Sequence, residues 1–430
     1  MAGRRIVMAT VGSEGDVHPF IGVALALKAR GHQPVIATRA AFKAKIEREG
    51  LEFRRMRPDT DEADAIGLSY DEIIAGITDQ ATGLRFLIKR IVTPFIRDTY
   101  ADLEAACEGG DLLISHNLVL AAPLLAAKRG VPWLTAILQP FSFMSAYDAP
   151  ALGVSPLLDF IRRGFPPPLH RLLYRFAARY SDSWFEPVRQ FRAELGLPPS
   201  LLTPILEGPY SPLGTLALYS KMMGAVQKDF PPQTTITGFP FYDSEAGGGS
   251  QLDARLAAFL DQGSAPLVFT LGTSAVLNPG TFFADSLDAA ARLRRRAVLL
   301  VGQDGPGALP PLPDWAIACA YAPHSALFPR AEAIVHQGGV GTTGQALRSG
   351  RPQLVTPHMA DQPDNAARMK RLGLARVLPP KPYNAGSAAK AIAALAGGAY
   401  TEKAREVACT VATEDGANRA ADRIEALLKP

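Results

Sequence analysis

Residues 335–366 read VHQGGVGTTGQALRSGRPQLVTPHMADQPDNA. His336 ends an apolar run, and Gly338, Gly339 and Gly341 follow in a turn closed by Thr342 and Thr343. Glycines let a backbone approach a ligand closely. N–H groups at a helix start carry partial positive charge, which suits phosphate. The threonine hydroxyls and the His336 imidazole add donors. The turn holds no lysine and its spacing is not GxGxxG, so it is neither a Walker loop nor a dinucleotide fingerprint. Asp361-Gln362, about one βαβ unit downstream, offers acceptors and donors suited to sugar hydroxyls.

The elements around these residues explain how they could meet. Apolar runs at 333–335 and 353–356 read as parallel strands joined by a helix over 342–349. Successive strands of such a sheet end on one edge, where ligands bind. The same alternation runs through the first 140 residues: strands over 6–10, 35–38, 51–55, 112–115 and 133–138, with helices over 19–30, 41–49 and 118–129. Later come helices over 252–261 and 281–293, strands over 267–270, 297–301 and 316–319, and a helical C-terminus from about 401. This predicts α/β architecture with two doubly wound, Rossmann-like parallel-sheet domains facing across a cleft. A length of 430 residues fits two domains. Gly247-Gly248-Gly249 is the strongest linker signal, and the boundary is placed at 225/226. The N-terminal domain thus spans 1–225 and the C-terminal one 226–405. A terminal helix, 406–430, is expected to pack back on the first domain.

Composition excludes several classes. With 45 basic and 41 acidic residues the net charge is +4, too small an excess for a nucleic-acid footprint. Three scattered cysteines form no CxxC pattern or disulfide framework, consistent with a reducing compartment. The apolar run after Arg4-Arg5 is too short for a signal peptide, and no run is long enough to span a membrane. A cytoplasmic protein is expected, with the inner face of the membrane left open.

The string HQGGVGTT…GRPQLV…DQPDNAARM resembles the donor-binding signature of nucleotide-sugar-dependent GT-B glycosyltransferases. GSEGDVHPFIG, GFPFYD and LDQGSAPLVFTLGTS extend the similarity over both domains, toward bacterial enzymes acting on lipids, antibiotics and sterols. The resemblance implies that His336 and the Gly338–Thr343 turn hold a nucleotide diphosphate and that Asp361 and Gln362 hold the sugar. It also implies that Thr273 and Ser274 lie on the phosphate side. Tyr321-Ala322-Pro323-His324 stands where relatives stack an aromatic ring on the base and read its edge. Plant members place a ribose-binding Glu where this chain has Gly344, which leaves UDP versus dTDP open.

Transfer to an alcohol needs a base for the hydroxyl and stabilisation of the departing diphosphate. The family's GDVxP pattern puts a catalytic carboxylate at Asp16. A solvated aspartate, with a pKa near 3.9, is a weak base, so a tuned environment or a partner is expected. The position where relatives keep an orienting Asp holds His116 here, suggesting a dyad in which Asp16 raises the basicity of His116. Asp16 as a helix cap, His116 as a backbone-bonded strand end, and His18 as the base are the rival readings. Asp59-Thr60-Asp61 is the one DxD string, read as solvated surface, so no metal and no cofactor beyond the donor sugar is expected.

Residues 140–215 include PFSFMSAYDAP and SPLGTLALY, dense in apolar side chains, and suit either a pocket for a lipophilic acceptor or helical core. Leu169, Leu172, Leu173 and Phe176 share one helical face, with Arg171, Arg175 and Arg179 on another. An ordinary amphipathic helix and a membrane-surface helix both fit, so weak peripheral membrane contact is allowed. The expected activity is inverting, metal-independent transfer of a hexose from a UDP- or dTDP-sugar to a hydroxyl of a lipid, sterol, triterpenoid or polyphenol. The alternatives are an epimerase or hydrolase on the same fold, or a non-catalytic binding protein. Oligomeric state is left open.

Overall fold

The computed structural model describes residues 3–59, 67–79, 82–153, 159, 161, 164–200, 203–204, 208, 210–242, 251–302, 309 and 311–429. Gly247-Gly248-Gly249 and Thr60-Asp61 lie outside them. The chain divides into two units. One comprises Met1–Pro150, Val154–Tyr242 and Asp415–Pro430, the other Ala151–Gly153 and Asp243–Glu414.

The first unit is built on a seven-stranded parallel sheet. Its strands are β1 (Arg5–Ala9), β2 (Gln33–Thr38), β3 (Glu52–Arg55), β4 (Leu112–His116), β5 (Trp133–Ile137), β6 (Thr215–Ala217) and β7 (Thr234–Ile236), in the order β3-β2-β1-β4-β5-β6-β7. The strands alternate between two buried faces. One face sets Val7, Ala9, Val35, Ala37 and Leu113 against Tyr100, Leu103 and Phe185. On the opposite face lie Ile6, Met8 and Ile36, all fully buried. Helix Glu14–Ala29 packs beside β2 and against the last helix, Gly416–Leu428.

Three sequence expectations change. The first helix starts at Glu14, not at 19, because Asp16 accepts the Ser13 N–H at 2.7 Å and closes a capping box. Within SPLGTLALY, Thr215–Ala217 form β6 rather than helix, and β7 follows it in the same sheet. The division between units therefore falls at Tyr242, later than 225. Both strands are three residues long and too short for a period-two pattern to show.

The second unit carries a six-stranded parallel sheet. Its strands are β8 (Leu267–Thr270), β9 (Ala297–Leu300), β10 (Ala316–Cys319), β11 (Ala333–His336), β12 (Gln353–Val355) and β13 (Ala375–Val377), in the order β10-β9-β8-β11-β12-β13. The C-terminus is two helices, not one. Gly398–Ala412 belongs to the second unit and Gly416–Leu428 to the first, with Asp415 capping the latter by accepting the Asn418 N–H.

In each sheet the chain first winds outward on one side, then returns beside the first strand. The reversal falls between β1 and β4 in one unit and between β8 and β11 in the other. Open α/β sheets bind ligands at the carboxyl ends of strands at such a reversal.

Candidate active site

At the second reversal, His336 pairs in register with Thr270 of β8 and Val355 of β12. Gly338 follows at φ +90°, and a Cβ there would stand 2.8 Å from Val355 Cγ1. Only glycine fits that turn. Helix Val340–Ser349 begins directly after it, with Gly339 as N-cap. The first intrahelical bond runs from the Thr343 N–H to the Gly339 carbonyl, at 2.9 Å. The N–H groups of Val340, Gly341 and Thr342 thus have no hydrogen-bond partner among the described residues. Three aligned donors at a helix start suit an anion.

His336 is engaged by the protein itself. Its side chain is fully buried, Nδ1 accepts the Gly338 N–H at 3.1 Å, and Nε2 lies 3.0 Å from Gln353 Oε1. Both ring nitrogens are spent on the protein. The imidazole braces the turn and has no donor left for a ligand. Burial lowers its pKa to about 4, so the ring is neutral at physiological pH.

Gln337, which sequence reasoning left unassigned, joins two loops. Its Nε2 reaches Thr342 Oγ1 at 3.4 Å, and a Cβ on Gly272 would stand 2.1 Å from that nitrogen. The loop after β8 and the turn after β11 therefore touch through this amide. Buried Gln337 Oε1, Thr343 Oγ1 and Asn365 Oδ1 have no partner among the described residues. Leaving such groups unsatisfied is costly, and a polar ligand or water would relieve them. Of the predicted phosphate-side residues, Thr273 is exposed and Ser274 half-buried.

Asp361 is half-buried and its Oδ2 accepts from Asn365 Nδ2 at 2.6 Å, while the same amide donates to the Gly338 carbonyl at 2.9 Å. Asn365 thereby ties the acid to the glycine turn. Gln362 is buried, and its Oε1 accepts the His358 and Met359 N–H groups at 2.8 and 3.1 Å. Its acceptor oxygen holds the loop and only its amide hydrogens remain to be offered. Ala360, between these groups, sits at φ +52°, a left-handed conformation that non-glycine residues rarely adopt and that concentrates at functional loops. Gln353 and Asn365 lie in the quoted string, but nothing local in it marks them as braces.

At the carboxyl end of β10, the half-buried Tyr321 ring lies 6.4 Å from His324 at 25°. His324 in turn stacks on Phe328 at 4.3 Å and 13°, and Ala322 is buried between strand and helix. Tyr321 thus heads a short aromatic column.

At the reversal of the first sheet, Asp16 is half-buried at the start of helix Glu14–Ala29. Its Oδ2 accepts from the Ser13 N–H and, at 3.2 Å, from the Ser13 hydroxyl; Oδ1 has no partner among the described residues. Packing of the carboxyl raises its pKa to about 6, against the lowering effects of Ser13 and the Arg39 guanidinium. Arg39, also unassigned by sequence, donates to the Gly12 carbonyl at 2.8 Å.

The expected dyad does not form. His116 ends β4, is 1% exposed, and neither ring nitrogen has a partner among the described residues. Desolvation lowers its pKa to about 4, the opposite of the basicity a dyad would confer. Asp111, from which the dyad was counted, is bound instead to Arg4 and to the Arg5 N–H. His18 accepts from Lys45 at 3.1 Å and lies edge-on to Tyr242. Asp59 is buried and accepts the Ala40 N–H at 2.5 Å, so it is a structural acid and not part of a solvated run. In the stretch 140–150, Phe143 stacks on Phe230 at 3.9 Å and fills core.

Comparison with known proteins agrees with this architecture. Residues 6–95 match the family described as glycosyltransferase family 28 N-terminal domain, and residues 284–427 the erythromycin biosynthesis protein CIII-like C-terminal domain. O-mycaminosyltylonolide 6-deoxyallosyltransferase of Streptomyces fradiae is 32% identical over 98% of this chain and 97% of its own. A sterol 3-beta-glucosyltransferase of Gibberella zeae is 26% identical over 86% of this chain, which spans about a quarter of that relative's length (26%). Among solved structures, the glycosyltransferase of kitacinnamycin superposes with a TM-score of 0.68 at 22% identity, covering 100% of both chains. A spinosyn rhamnosyltransferase complexed with thymidine diphosphate gives 0.67 at 18% identity, over 98% of this chain and 100% of its own. These structures share the GT-B fold. With a relative of this identity matching from end to end, the chain belongs to the nucleotide-sugar-dependent glycosyltransferase family that includes the Streptomyces fradiae 6-deoxyallosyltransferase.

Proposed function

We propose that this glycosyltransferase moves a hexose or 6-deoxyhexose from a UDP- or dTDP-sugar to a hydroxyl of a hydrophobic small molecule, inverting the anomeric centre. The observation that carries the reading is the start of helix Val340–Ser349, where three N–H groups without partners follow a turn that only glycine can make. They meet the negative charge that grows on the diphosphate as the bond from the sugar C1 to phosphate oxygen breaks. One such donor is worth about 3–4 kcal/mol of barrier. Asp361 and the Gln362 amide orient the sugar, and Tyr321 offers a ring for the base. The Asp16 carboxylate takes the acceptor's hydroxyl proton while that oxygen attacks C1. His116 and His18 take no proton. A hydrophobic acceptor is supported by the names of the relatives, which give O-mycaminosyltylonolide and a sterol as acceptors.

The test is transfer by the full chain from UDP- and dTDP-sugars to macrolide, sterol and lipid acceptors, comparing wild type with Asp16→Asn. The expected result is a loss in kcat of about 100-fold or more, with unchanged affinity for the free nucleoside diphosphate. Full activity in Asp16→Asn removes the base. Turnover of donor without acceptor favours a hydrolase or epimerase.

A further inference from the structure

Helix Pro167–Ser181, PPLHRLLYRFAARYS, is packed inside out. At 100° per residue, His170, Tyr174, Ala177, Ala178 and Ser181 share one side. That side faces the protein: His170, Ala178 and Ser181 are buried, and the Tyr174 hydroxyl donates to the Ser145 carbonyl at 3.2 Å. The opposite side carries Leu169, Leu172, Leu173, Phe176 and Tyr180. There Leu172 is 60% exposed, Phe176 74% and Tyr180 66%. A helix that serves only as core packing turns its largest apolar side chains inward. This one spends histidine, tyrosine, alanine and serine on its packing and leaves leucine and phenylalanine in water.

Charge selects the occupant. Arg171, Arg175 and Arg179 are all exposed and line the arc beside the apolar side chains. The helix contains no acidic residue. Asp182, just beyond it, is paired with Arg189. The cationic edge continues at Tyr147, 42% exposed, with Arg171 and Lys228 both near its ring. A protein partner that covered Leu172 and Phe176 would need a face both apolar and acidic. An anionic bilayer offers that pairing everywhere on its surface: acyl chains below, phosphates above. No helix among the described residues is long and apolar enough to cross a membrane, so the contact is a surface one.

We propose that helix Pro167–Ser181 docks this enzyme on an anionic lipid surface, with Leu172, Phe176 and Tyr180 in the acyl boundary and the three arginines at headgroup phosphates. This surface goes beyond the transfer reaction and does not depend on the base assigned above.

The full chain is sedimented with vesicles of phosphatidylcholine alone and of phosphatidylcholine with phosphatidylglycerol, at low and high salt. Binding is expected only to the anionic vesicles and weakened by salt. The Leu172→Glu/Phe176→Glu variant should lose at least tenfold in partition. It should keep its melting temperature and its transfer to a water-soluble acceptor. The Arg171→Ala/Arg175→Ala/Arg179→Ala variant should no longer distinguish the two vesicles. No partition of wild type, or unaltered partition of the glutamate variant, overturns the proposal. So does sedimentation velocity showing wild-type dimers, variant monomers and no vesicle binding, which would assign the face to a second copy.

Discussion

At Asp16, the residue proposed to serve as base, the environment carries a cost in stability. Its folded pKa of about 6 lies above the ordinary value of 3.8, because packing disfavours the charge. Stability from this group is full below the unfolded value and lost as pH rises through the folded one. A gap of this size corresponds to roughly 3 kcal/mol. Asp16→Asn is therefore expected to keep or raise the melting temperature at pH 8 while abolishing transfer. The kcat/KM of the wild type should rise with pH through an apparent pKa near 6, and a flat profile down to pH 5 would exclude Asp16 as base. His116 and His336 have the opposite sign. Both pKa values fall from 6.5 to about 4, so their contribution is full above 6.5 and lost as pH drops toward 4. Two rings outweigh one carboxyl, and denaturant unfolding should show lower stability at pH 5 than at pH 7.

Among the elements, the proposed function rests on the helix starts. Gly338→Ala places a methyl 2.8 Å from Val355 Cγ1 at φ +90°. The strain of about 1–3 kcal/mol falls on the turn that aims the N–H groups. Nucleoside diphosphate affinity, measured by calorimetry, should drop at least tenfold. Unchanged affinity would show that the turn is not the cradle. The following helix, Gln362–Arg371, is held differently. Asp364 and Arg368 form a buried pair at 2.7 Å, each side chain 3% exposed, and Asp364 Oδ1 also accepts the Ala151 N–H at 3.0 Å. Asp364→Ala removes one partner of the buried Arg368 guanidinium and the acceptor of the Ala151 N–H, and should cost about 3–5 kcal/mol in unfolding free energy.

For the whole molecule, the last helix completes the first unit after the chain has built the second. Arg30 Nη1 reaches Asp422 at 2.6 Å and Glu425 at 3.0 Å, and Glu425 also meets His32 at 3.1 Å. Asp422 is exposed, Arg30 and Glu425 are half-buried and His32 is buried; ion pairs still open to water are worth about 1 kcal/mol or less each. Beneath them Ala420, Ala421 and Ile424 are fully buried. Ile424→Ala is expected to destabilise by about 2–5 kcal/mol and Glu425→Ala by less than 1 kcal/mol. Chemical denaturation of the two variants checks the order. A larger effect from Glu425 would mean that charge, not packing, holds the helix.

The sequence alone carried the parallel α/β class, most strands within a residue or two, and the strings HQGGVGTT, DQPDNA and GSEGD, because apolar period, glycine turns and helix starts are local signals. It also carried the pairing of β11 with β12, since a right-handed crossover leaves little choice. Tertiary structure decided what each side chain in those strings does. His336 proves to be a brace because Gln353, from the next strand, occupies its second nitrogen. The pKa of Asp16 is raised and that of His116 lowered by burial, which no local pattern encodes. The three-residue strands β6, β7 and β13 escaped notice because they exist through their neighbours' hydrogen bonds, not through their own periodicity. Which side of helix Pro167–Ser181 faces inward was likewise settled by packing: spacing shows that a helix has two faces, and only the fold selects the one left in water.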